Sequence, residues 1–146
     1  MNFRKLLSIF IVYNHNVRLL HWKTSGKLFD EYHELMGTYY NKMQEDTDLI
    51  AELGLTYDEE PVGLVEAFEI LKEDKDNYKI IDPKDNYDEK EIISNIDILF
   101  KDLLKAINEL LKTDKVDNNP GARSELENLY AYYDKECNYK NRRRKK

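Results

Sequence analysis

Between Ile92 and Leu111 the apolar side chains fall in steps of three and four: Ile92, Ile93, Ile96, Leu99, Phe100, Leu103, Leu104, Ile107, Leu110 and Leu111. Only an α-helix gathers such positions onto one side, and a stripe this broad must be covered by other elements. The same period runs from Asn2 to about Lys23, through Phe3, Leu6, Leu7, Phe10, Ile11, Tyr13, Val17, Leu20 and Trp22. It recurs from near Lys27 to about Gly54 and again from about Ala122 to Asn138, where Leu126, Leu129, Tyr130 and Tyr133 carry it. Breakers are scarce, with 5 Gly and 3 Pro in 146 residues, so these four segments are expected to be long helices.

The punctuation between them predicts the topology. Thr24, Ser25 and Gly26 end the first helix, and Gly54 stops the second. Residues 55–86 form a long connection, with a short helix expected over Val62 to Lys72 behind Pro61, then a polar stretch with Asp82, Pro83, Asp85 and Asn86. Asp117 to Gly121 make the next turn. So long a crossover lets the third helix run parallel to the second, which is the connectivity of ferritin-like four-helix bundles. The expectation is an all-α chain with one such domain over residues 1–139 and a basic, disordered C-terminal tail over 140–146.

The net charge of −6 is unevenly spread, because that tail holds six bases, Lys140, Arg142, Arg143, Arg144, Lys145 and Lys146. The rest of the chain therefore carries −12, which argues against nucleic acid binding by the folded surface and favours attraction of cations. A flexible basic end could still hold DNA phosphates without sequence preference, although charge runs at termini are usually just solvated. The apolar run Leu6 to Val12 is too short to span a bilayer. A single cysteine, Cys137, excludes an internal disulfide framework and fits a reducing cytoplasm. The tyrosines, with Tyr39, Tyr40, Tyr130, Tyr132 and Tyr133 among them, read as packing between helices two and four, with electron relay as the less favoured alternative.

Four side chains carry metal-ligand chemistry. His21 closes the first helix, His33 lies early in the second, and Asp48 and Glu52 lie late in it, four residues apart. Imidazole with carboxylate suits iron, zinc or manganese. On a helical wheel His33, Asp48 and Glu52 share one side, within about 100°, yet His33 and Asp48 stand about 22 Å apart along the axis. They cannot ligate one ion within one chain. Two antiparallel copies of the second helix around a two-fold axis would bring His33 of one near Asp48 and Glu52 of the other. The plainer alternative is a packed histidine and a solvated acidic face.

The stretch His21 to Glu52 resembles the Dps family, the mini-ferritins. His21-Trp22, Gly26 five residues after the first His, Phe29 eight after it, His33-Glu34 twelve after it, then Asp48 and Ala51-Glu52 stand at the offsets of the family pattern, over about a fifth of the chain. The resemblance implies a dodecameric cage that binds Fe(II) at two-fold interfaces, oxidises it with peroxide or oxygen, stores the ferric product and limits oxidative damage. It implies His21 as primary ligand, Asp48 and Glu52 as ligands from the partner chain, His33 at a second iron position and Trp22 beside the iron. Two departures stand out. The family usually has Asp four residues after the second His, where this chain has Gly37, so a weaker or absent second iron position is expected. The stop at Gly54 comes about four residues early, so the second helix is expected to be a turn shorter. No Glu-x-x-His motif of the kind found in other di-iron bundles is present. The competing functions are a non-enzymatic cage or DNA-coating protein with a degenerate site, and a zinc- or manganese-binding assembly.

Overall fold

The computed structural model describes residues 1–81 and 84–146; Asp82 and Pro83 of the crossover lie outside the described residues. Six helices precede the C-terminal segment: α1 (Phe3–Lys23), α2 (Phe29–Thr56), α3 (Leu64–Glu73), α4 (Glu89–Leu111), a single turn α5 (Asp114–Asp117) and α6 (Pro120–Asp134). The chain then widens its hydrogen-bond register into a π-helical stretch, Lys135–Asn141, and ends in one more α turn, α7 (Arg142–Arg144). Helices α1, α2, α4 and α6 form the bundle, and α3 lies in the long crossover against α1. No helix among the described residues is long and apolar enough to cross a membrane.

Local chemistry sets the helix ends. Asn2 caps α1 by accepting from the Lys5 amide at 2.8 Å. Asp88 and Glu91 form a reciprocal capping box at the start of α4. Pro120 occupies the first turn of α6, where its missing N–H costs nothing, so it opens the helix that the sequence starts two residues later. The second helix differs from expectation at its far end. Gly54 does not stop it, and α2 runs to Thr56. The stop is Asp58, whose φ of 61° is left-handed. Gly54 is needed for closeness instead: an added Cβ would lie 3.2 Å from both Phe3 Cβ and the Glu59 carbonyl oxygen.

The corner between α1 and α2 is pinned from outside. Gly26, with φ of 107°, makes the turn. The Tyr87 amide donates to the Lys23 carbonyl at 2.8 Å and the Ser25 amide donates to the Tyr87 carbonyl at 2.9 Å. This two-bond bridge fastens the end of the crossover to the segment that joins the two histidine-bearing helices.

The core is aromatic at mid-bundle, where Phe10, Tyr39, Phe100 and Tyr133 meet in edge-to-face pairs. Two buried carboxylates sit within it, and each has partners. Asp46 accepts from Tyr133 Oη at 2.6 Å and pairs with Lys42. Glu136 accepts from Tyr39 Oη at 3.1 Å and pairs with Lys140 at 2.9 Å. Burial raises the Asp46 carboxyl above the ordinary aspartate range, with Lys42 and Tyr133 pulling the other way.

The basic end is not the disordered tail expected from its charge. It continues the last helix and docks. Asn141 Nδ2 donates to the Ile93 carbonyl at 3.0 Å, Arg144 Nη1 donates to Tyr39 Oη at 3.2 Å, and Lys145 pairs with Asp97 at 3.0 Å. Burial pushes Asp97 up, but Lys101 and Lys145 outweigh it and hold the carboxyl below its usual value. The inward partners are half-buried or buried, so solvation of the six bases no longer dominates.

Two outcomes follow for stability. Tyr133→Phe leaves buried Asp46 short of one donor and should lower the unfolding free energy in urea by about 1–3 kcal/mol. A raised native pKa means that the Asp46 contribution is fully present below its unfolded value, near 3.8, and is lost as pH rises through the raised value. That loss should be steeper in Tyr133→Phe than in the parent. Deleting residues 140–146 removes the Asn141 bond and three charged partners and should cost roughly 1–3 kcal/mol, read from the same urea curves, where a free tail would cost nothing.

Candidate metal site

His21 stands in the last turn of α1 and His33 in the second turn of α2, on either side of the pinned corner. Each imidazole reaches the other residue's backbone. His21 Nδ1 lies 2.6 Å from the His33 carbonyl oxygen, and His33 Nδ1 lies 2.8 Å from the His21 carbonyl oxygen. A carbonyl only accepts, so each Nδ1 carries the hydrogen, and in each neutral ring Nε2 keeps its lone pair. Hydrogen bonding of one ring nitrogen to a carbonyl is the usual way a protein presents the other to a metal.

The rings are held face to face as well. The His21 and His33 centroids lie 3.8 Å apart with planes 18° from parallel, and Phe29 stacks on His33 at 5.0 Å. Tyr40 meets His21 edge-on at 5.1 Å, with the Arg18 guanidinium 4.8 Å over the Tyr40 ring. Read from sequence, Tyr40 is a packing or relay tyrosine and Arg18 has no assigned role; neither is placed beside His21. The available signal was spacing, since Tyr40 lies seven residues after His33 and so on the same side of α2.

Asp48 and Glu52 are exposed on α2, and neither side chain has a hydrogen-bond or ion-pair partner among the described residues. They stand at the other end of the helix from the histidines, about 22 Å along it. The structure therefore joins His21 to His33 but brings neither to Asp48 and Glu52. Among the described residues no group of three or more His, Cys, Asp or Glu side chains converges within the chain. Trp22, next to His21, is 58% exposed, with His15 edge-on at 6.2 Å. At the position of the missing carboxylate, the Gly37 backbone lies directly against the His21 ring.

The arrangement of the helices settles the fold class. The fold is that of the Dps proteins. A Dps protein from Vibrio cholerae O1, described as a member of a broad superfamily of ferritin-like diiron-carboxylate proteins, superposes with a TM-score of 0.80 at 21% identity, over 92% of this chain and 81% of that one. Dps from Bacillus brevis gives 0.78 at 18%, over 91% and 85%, and Dps from Staphylococcus aureus gives 0.76 at 18%, over 98% and 89%. No sequence-family model matches the chain, and no curated protein matches it by sequence. Against the Dps fold, the two histidines and two carboxylates are this chain's own metal-ligand candidates, and their separation within one protomer is the geometric fact that any function must accommodate.

Proposed function

We propose that the chain is a Dps-like ferroxidase that binds Fe(II) between protomers and oxidises it inside a cage. One observation carries this reading. Two histidines with free Nε2 atoms stand at one end of α2, and two unpartnered carboxylates stand at the other. Two-fold antiparallel pairing of α2 with a second copy puts each half-set opposite its complement. The donors fit the substrate, because imidazole nitrogen and carboxylate oxygen together suit a borderline cation such as Fe(II), and the ferritin-like fold favours iron over zinc or manganese.

An apolar face on α3 offers a surface for the second copy. On α3, Leu64 and Val65 are each 71% exposed and Phe68 is 43% exposed. With Ile11, Val12, His15 and Ile80 they line a groove of about 460 Å3, and His15 links it to Trp22. Apolar surface of this kind marks an interaction face. The two-fold pairing closes at a dimer, so the dodecamer needs six such pairs joined through contacts of a different symmetry.

The chemistry follows from charge. His21 from one protomer and Asp48 and Glu52 from its partner hold Fe(II). Two carboxylates stabilise Fe(III) more than Fe(II), so the site lowers the cost of losing an electron. Peroxide accepts one electron from each of two ferrous ions, takes up two protons and leaves as two waters. The ferric ions pass into the cage as mineral, which removes peroxide and free iron together. Trp22 shields the site, and His33 adds a second nitrogen donor.

Gly37 favours one second reading, a cage whose iron chemistry is degenerate, because the carboxylate expected at that position is absent. Its DNA-coating form has less support, since Lys140, Arg144 and Lys145 are engaged inward and only Arg142, Arg143 and Lys146 lack partners among the described residues.

Anaerobic Fe(II) loading followed by peroxide, read by stopped-flow absorbance, tests the proposal. Rapid stoichiometric oxidation is expected, and its loss in the double variant His21→Ala/Asp48→Ala with the assembly intact. Co-assembly of equal amounts of His21→Ala and Asp48→Ala chains should restore about a quarter of the parental sites, since each site draws its imidazole and its carboxylates from different chains. No recovery on mixing would place both ligand sets within one protomer and sink the shared site.

A further inference from the structure

We infer that Gly37 is a positioning residue whose missing side chain seats the His21 imidazole with Nε2 presented to the metal, so that a carboxylate at position 37 and a correctly held His21 exclude one another in this chain. The inference rests on the reading that His21 ligates iron, and it changes what Gly37 means: a requirement of the primary position as well as a loss at the second.

Glycine is a poor residue inside a helix, and Gly37 sits in the third turn of α2, away from both ends. Backbone freedom does not explain it, because Gly26 is the chain's positive-φ glycine and Gly37 is not. Space does. A Cβ at position 37 would lie 3.2 Å from His21 Cε1 and 3.4 Å from His21 Nδ1, inside the usual contact distance of about 3.5–4.0 Å. Helical geometry explains the closeness, since the amide of residue 37 and the His21 ring both seek the same acceptor, the carbonyl of residue 33.

The ring has little room to retreat. His21 Nδ1 is tied to the His33 carbonyl at 2.6 Å, its face lies on His33 at 3.8 Å, and Tyr40 closes its edge at 5.1 Å. A shift large enough to admit a Cβ lengthens the bond that fixes the tautomer and slides the stack. An Asp side chain brings the same Cβ plus a carboxyl, so the donor it adds near His33 comes with displacement of His21.

The test begins without metal. Nitrogen NMR of 15N-histidine-labelled protein should show His21 in the parent as the single tautomer protonated at Nδ1. In Gly37→Ala the His21 signals should move towards a mixture while His15, outside the clamp, stays where it is. Circular dichroism should show helicity kept or raised, since Ala is the better helix former. Anaerobic Fe(II) affinity should fall by about 10- to 100-fold, the usual effect of losing a ligand's orienting contact. Gly37→Asp should show the same tautomer change and no gain in Fe(II) bound per site. An unchanged His21 tautomer in Gly37→Ala overturns the inference, as does a Gly37→Asp protein that keeps the tautomer and binds a second Fe(II). A parent that binds no Fe(II) but whose His21 tautomer still responds to Gly37→Ala defeats the iron reading and leaves the seating intact.

Discussion

A helix that rises about 1.5 Å per residue cannot bend residues 33 and 48 onto one ion. The rigidity of α2 is the constraint on which the functional reading depends. Its 28 residues hold His33 near one end, with His21 of α1 stacked on it, and Asp48 and Glu52 towards the other, on the same side of the helix. On the proposed reading, the chain carries two half-sites, each completed by a second copy. A flexible loop in place of α2 would have let the four donors collapse onto one cation in a single protomer. The proposed chemistry therefore needs a second copy of the chain.

Rigidity at the histidine end comes from a second device. Two helices meet at a corner, and each lends a backbone carbonyl to the other's imidazole. The bridge between Tyr87 and residues 23 and 25 then ties that corner to the incoming crossover. Ring stacking from Phe29 through His33 to His21 adds lateral support. Orientation of metal ligands by such outer contacts governs affinity as much as the ligands do. The carboxylate end is different: Asp48 and Glu52 are exposed, and neither side chain has a partner among the described residues.

The interior solves a separate problem. Asp46 and Glu136 are buried among aromatic rings, where an unpaired carboxylate would be costly. Tyrosine hydroxyls and lysines supply each with partners, and no buried side-chain nitrogen or oxygen among the described residues lacks one. The π-helical stretch turns Glu136, Cys137 and Asn141 inward together and carries the basic end back to the bundle. Arg144 and Lys145 thus serve Tyr39 and Asp97 before they serve any outside polyanion.

Period alone made the four bundle helices, the crossover and its short helix legible, because burial of a one-sided apolar stripe admits few arrangements. The candidate ligands could be named from the chain for a similar reason: their type and helical phase are written in it, and so is the separation of His33 from Asp48. The sequence misplaced what depends on contact between distant segments. Gly54 reads as a stop until Phe3 and Glu59 crowd it, six bases read as a free tail until Asp97 and Tyr39 receive them, and Gly37 reads as a missing ligand until the His21 ring is found lying on it. Local periodicity and side-chain chemistry are properties of neighbours along the chain, so the sequence by itself determined helix identity and donor set. Closeness across more than one helix depends on how the faces pack, and only the tertiary structure decided which histidine nitrogen meets a carbonyl and how near the Gly37 backbone comes to the His21 ring.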